Sequence, residues 1–131
     1  MNAHRTNWLV NTCLLGLLPA IARVFVWIIY TGSVDPVSTS DFVAFGLVLH
    51  SANINEVNRV SGTDDPWRIT HNGLSVIFIV IYAIIMFSTI IPSNQINKSS
   101  ALSSSIILSI VSFIMSGTIF FRSRLAADGA I

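Results

Sequence analysis

Four stretches of the chain are dense in apolar residues, and a polar break follows each of the first three. The first is WLVNTCLLGLLPAIARVFVWIIY, the second opens with DFVAFGLVLH, the third is LSVIFIVIYAIIMFST and the fourth is SSSIILSIVSFIMSG. The breaks TGSVDPVSTSD, VSGTDDP and IPSNQINK carry the glycine, proline and short polar residues that end helices. Crossing hydrocarbon takes roughly 20 mostly apolar residues in an α-helix. The pattern predicts helices over about 8–30, 41–59, 72–91 and 100–121. The expected fold is an all-α integral membrane protein, a four-transmembrane-helix bundle with short loops, as one domain over 1–131.

Local signals place the helix ends. Trp8 and Tyr30 suit the two aromatic belts of a bilayer. Pro19, inside the first helix, crowds the carbonyl of Leu15 and predicts a kink that Gly16 eases. Ser40 is the expected N-cap of the second helix. Asp65 followed by Pro66 reads as a cap with proline at the first helical position. PWRITHNG then forms an interfacial turn before the crossing from about Leu74 to Ile91, which Pro92 stops. Arg122 and Arg124 are expected to close the fourth helix. The first segment stays apolar to Tyr30, carries Arg23 and has no A-x-A-like cleavage site, so it reads as a retained helix and not a signal peptide.

The second helix is the least apolar, because SANINEVNR is polar on most faces. Charge decides how it is read. If it crosses, Arg5, Arg59, Arg68, Arg122 and Arg124 share one side against Lys98 alone, and both termini are cytoplasmic. If it does not, the split is weaker, so four spans are expected. Composition agrees with a membrane setting: 53% of residues are hydrophobic and 10% charged, where a soluble domain has about 25% charged. The basic residues are scattered, so no nucleic-acid partner is expected. Cys13 has no disulfide partner within the chain and lies in an apolar run, where a thiol acts as a small hydrophobe.

Polar side chains inside the predicted spans are the candidate functional residues. Arg23 falls at mid-depth in the first helix, as an anion-attracting group or as a side chain reaching up to Asp35 or Asp41. His50 lies near the middle of the second helix, as a proton-sensitive gate, a relay or a haem ligand, or as a hydrogen-bonded packing residue between helices. Asn53 follows on the same face, and Glu56 is placed to pair with Arg59. Ser105, Ser109, Ser112 and Ser116 fall in a narrow wedge of the fourth helix. That wedge is either a close-packing seam or a hydroxyl-lined pore wall shared between copies. His4, His71, Tyr82, Trp27 and Trp67 read as interface or packing residues.

Four short spans with an arginine in the first and an asparagine in the second resemble the small fluoride-channel family in outline, with Arg23 and Asn53 at the matching positions. The first helix, LLGLLPAIARVF, lacks that family's glycine-rich approach, and the third lacks its glycine-threonine-phenylalanine break. The small multidrug transporters also have four spans, but they need a carboxylate in the first helix. No residue role is carried over from either family. No nucleophile elbow, phosphate-binding glycine loop, paired intramembrane carboxylates or HExxH is present, so no catalytic residue, metal or cofactor is expected. The function expected first is a homo-oligomeric channel or membrane-permeabilising protein of a bacterial inner membrane. The alternative is a non-catalytic membrane subunit, an anchor, sensor or immunity-type partner, docking another protein through residues 60–68 and the C-terminal tail.

Overall fold

The computed structural model describes residues 12, 14–30, 32–60, 65–92 and 95–127. Among them all regular structure is helical, with no strand. The helices are α1 (Leu15–Ile29), α2 (Thr39–Val60), α3 (Pro66–Ser88) and α4 (Lys98–Ala127). Two are long and apolar enough to cross a membrane: Pro66–Ser88, and Lys98–Ser123 within α4, each with a mean hydropathy of 2.0. The described part of α1 is shorter and apolar. Trp8, Arg5, His4 and Cys13 lie outside the described residues. At 22 residues, α2 is long enough for about 33 Å of helix, but it is not apolar enough to qualify as a span by composition.

The caps explain where the helices begin. α2 starts at Thr39, so Ser38 and not Ser40 occupies the cap position. Asp41 is the reason. Its carboxylate accepts from the Ser38 backbone N–H at 3.2 Å, the reach-back of a capping box, and that geometry selects the residue three positions earlier. α3 begins as its sequence predicts, with Trp67 N–H donating to Asp65 Oδ1 at 2.9 Å and Pro66 at the first position. The segment PWRITHNG is continuous with α3 rather than a separate turn. α4 is capped by Asn97, whose Oδ1 accepts from Ser100 N–H at 3.1 Å. α4 also runs past Arg122 to Ala127, because a charged residue changes the surroundings of a helix but not its backbone preference. Arg122 sits over the Trp67 ring, 4.5 Å from its centroid, and holds that end of α4 to α3.

The arrangement is centred on α2. It packs along α4 and α3 and against α1; α3 and α4 touch each other little, and among the described residues α1 packs on α2 alone. Paired residues set the directions. Arg23 meets Asp41, and Gly16 lies under Phe45, so α1 and α2 are antiparallel. Tyr82 crosses at Gly46 while Arg68 reaches Asn58, so α3 also runs against α2. Ser109 meets Phe42, Ser112 meets His50 and Ser123 meets Glu56, so α4 runs with α2. The chain therefore goes up, down, up, down, with the least apolar helix innermost.

The distribution of polarity is inverted relative to a water-soluble domain. Ile28, Ile29, Val76, Ile84, Phe87 and Ile114 stand on the outside, among many other large apolar side chains. The interior holds Val43, Leu49 and Ile119, but also His50, Asn53, Ser75, Ser105, Ser112, Ser116 and Ser123, none more than 2% exposed. A soluble monomer rarely exposes apolar patches beyond a few hundred Å2, and it has no reason to fill its core with hydroxyls.

Candidate functional site: a buried polar path beside the second helix

One face of α2 repeats Gly46, His50, Asn53 and Val57 at steps of four, three and four, and all four are buried. The serines of α4 repeat at the same steps. Two helices with matching small or polar seams approach closely, and the side chains on them then meet. The site is built along this contact.

At its centre, Ser112 Oγ lies 2.9 Å from His50 Nε2, 2.9 Å from Tyr82 Oη and 2.8 Å from the Leu108 carbonyl. A hydroxyl has one proton and two lone pairs. The carbonyl takes the proton. Ser112 therefore accepts from the Tyr82 hydroxyl and from His50 Nε2–H. This assignment satisfies all three bonds at once and fixes the histidine tautomer, leaving Nδ1 with its lone pair. The His50 ring is also held by Phe78, with ring centroids 4.7 Å apart, and by Tyr82 at 6.1 Å. Gly46 admits this arrangement. A Cβ built there would overlap the Tyr82 ring and hydroxyl, so only a glycine lets Tyr82 cross α2 to reach Ser112.

Towards the start of α2, Ser109 Oγ donates to the Phe42 carbonyl at 3.1 Å. Ser105 Oγ is buried but donates only to Leu102 O in its own helix, at 2.7 Å. Asp41, 6% exposed, accepts Arg23 Nε–H at 2.7 Å on the same Oδ2 that caps the helix. Arg23 is thus paired with one of the two carboxylates its position brings within reach. Beyond the pair, a cavity of about 500 Å3 opens between the two loops at this end. Arg23, Lys98, Asp35, Ser38 and Thr89 are among its lining residues.

Towards the end of α2, Asn53 and Ser116 are buried one turn on from His50 and Ser112. Further along, Glu56 pairs with Arg59 through two contacts, 2.7 and 3.1 Å, and accepts a hydrogen bond from Ser123. Arg59 also donates to Ser123 at 3.3 Å.

Every candidate named from sequence therefore lies on or beside α2: Arg23, His50, Asn53 and Glu56, with Ser105, Ser109, Ser112 and Ser116 on the face of α4 turned inward. Three further contributors, Ser123, Gly46 and Ser75, are not among the sequence candidates, and Tyr82, expected only as an interface or packing residue, is a fourth. Ser123 continues the serine spacing by one more heptad, and extending the stripe beyond the apolar run would have found it. Gly46 is visible as part of the α2 stripe. Tyr82 and Ser75, seven residues apart on α3, share a helix face, but their hydroxyl chemistry shows only once that face meets α2. Among the described residues no group of three or more His, Cys, Asp or Glu side chains is placed to hold a metal ion. No protein-family model, curated protein or solved structure matches this chain.

Proposed function

We propose that the chain is a four-span integral membrane protein with both termini on the cytoplasmic side, and that it conducts protons along the polar path beside α2, inside a single protomer. The carrying observation is His50: fully buried at the middle of the innermost helix and hydrogen-bonded through Ser112 to Tyr82. A bundle does not need these groups in order to pack. Replacing a hydrogen-bonded buried pair by apolar side chains of the same shape is close to neutral for stability. Ionisable and amide side chains kept in a membrane interior mark ion pathways and proton relays.

The placement of side chains also ranks the other readings. A pore between copies, lined by the serine stripe, needs that stripe on the outside of the protomer. Four of its serines instead face inward, and Ser109 and Ser112 bond across to α2 and α3. A docking subunit needs free handles at the arginine end. Arg59 is engaged by Glu56, Arg68 by Asn58 at 2.9 Å, and Arg122 by Trp67. Residues 61–64 and 128–131, which belong to that reading, lie outside the described residues.

The test is proton flux into liposomes containing the purified full chain, followed with a pH-sensitive dye under an imposed potential. Flux above that of empty liposomes, lost in His50→Phe, supports the reading. Liposomes as tight as protein-free controls overturn it.

A further inference from the structure

Five buried side-chain atoms have no hydrogen-bond partner among the described residues: His50 Nδ1, Asn53 Nδ2, Asn72 Oδ1, Ser75 Oγ and Ser116 Oγ. All belong to the same half of the molecule, from the His50 level towards the arginine end. The register brings four of them to neighbouring levels and sets Asn72 further on, beside Asn58 and past Glu56. His50 meets Tyr82 and Phe78 on α3, and Asn58 meets Asn72, so Asn53 lies level with the turn of α3 that carries Ser75. His50 meets Ser112, so Asn53, one turn on, lies level with Ser116. The opposite half, from Ser109 to Arg23, has no such atom among the described residues.

We infer that this layer, enclosed by α2, α3 and α4 between His50 and the Glu56–Ser123 pair, is a binding site for internal water. The four atoms of this layer, on α2, α3 and α4, include donors and acceptors, yet none has a partner within bonding reach, and water can bridge such groups. The His50 tautomer leaves Nδ1 as an acceptor; Asn53 Nδ2 is a donor; the Ser75 and Ser116 hydroxyls are both. A water molecule donates twice and accepts twice, and buried waters typically make about three such bonds. Leaving buried polar atoms unpaired is rare in folded proteins, and a cluster of them on three converging helices is the usual setting of ordered water. The role of this water rests on the proposed proton path: it joins His50 Nδ1 to Glu56, across an interval where His50 Nδ1, Asn53 Nδ2, Ser75 Oγ and Ser116 Oγ have no hydrogen-bond partner among the described residues.

The experiment uses the full chain in lipid nanodiscs, labelled with 15N. Water-to-protein magnetisation transfer is read at the side-chain amide of Asn53, and thermal midpoints are compared for wild type, Ser75→Ala and Ser116→Ala. A hydrated layer gives transfer from long-lived water to the Asn53 amide, and both alanine variants lower the midpoint by a few degrees because the water loses a partner. A dry layer gives no transfer, and the same variants raise the midpoint because an unpaired hydroxyl has been removed; that result overturns the inference. These readouts do not depend on flux. Water in the layer of a protein that conducts no protons removes the path and leaves the site standing. Flux through a layer shown to be dry removes the site.

Discussion

Gly46 lies directly beneath Tyr82, with no room for a methyl group between the α2 backbone and the phenol. The contact is made by ring carbons as well as the hydroxyl, so the side chain has no easy retreat. Gly46→Ala therefore pushes Tyr82 off Ser112. Overpacking of this kind costs about 1–3 kcal/mol, and here it also removes a buried hydrogen bond. Thermal unfolding in detergent should show Gly46→Ala to be clearly less stable than Gly73→Ala, where an added Cβ meets nothing.

The serines of α4 differ in what they hold, and substitution to alanine should rank them. Ser112→Ala leaves His50 Nε2–H and the Tyr82 hydroxyl without an acceptor, at about 1–3 kcal/mol for each orphaned group. Ser109→Ala frees one carbonyl, at about 1 kcal/mol. Ser105→Ala removes only a bond within its own helix and should be close to neutral. Three equal midpoints would mean that the stripe acts through its small size alone.

What the sequence disclosed followed from local chemistry. Asp65–Pro66 announced the start of α3 because capping is decided within three residues. The serine stripe and the polar face of α2 were both visible as periodicities. That each is the other's partner was not, since periodicity gives a face and not its neighbour. Hydropathy made α2 the doubtful span for the same reason that it is innermost: a helix surrounded by three others is shielded from lipid by them, so its average apolarity falls. Ser40 is the nearer cap candidate by spacing, but the Asp41 carboxylate selects Ser38 by accepting its N–H, a reach-back that a charge at position 41 does not reveal. Gly46 and Tyr82 gain their meaning from a crossing between α2 and α3 that no window along one helix contains.

Arg23 and Asp41 fasten α1 to the first turn of α2. The Asp41 side chain is 7% exposed and that of Arg23 32%, so the pair is shielded more at the carboxylate than at the guanidinium. Asp41→Ala removes the ion pair and the helix cap together and should cost about 1–3 kcal/mol. Asp41→Asn keeps an acceptor for the Ser38 N–H and should recover part of that loss. Arg23→Gln should cost less than Asp41→Ala, because the carboxylate it leaves is still held by the Ser38 amide. Denaturation midpoints of the three variants in one lipid mixture check the order.

The arginines also make a topological prediction. The end of α2, the start of α3 and the last turns of α4 bring Arg59, Arg68 and Arg122 to one pole, and Lys98 lies at the other. If α2 crosses the bilayer, residues 33 and 61 lie on opposite sides, and the arginine-rich pole faces the cytoplasm. With Cys13 replaced by alanine, single cysteines at Ser33, Ser61 and Ile131 can be probed with a membrane-impermeant maleimide. Ser33→Cys should label on intact cells. Ser61→Cys and Ile131→Cys should label only after the membrane is opened. Labelling of positions 33 and 61 from the same side would place α2 on the membrane surface, and His50 would then have no path to serve.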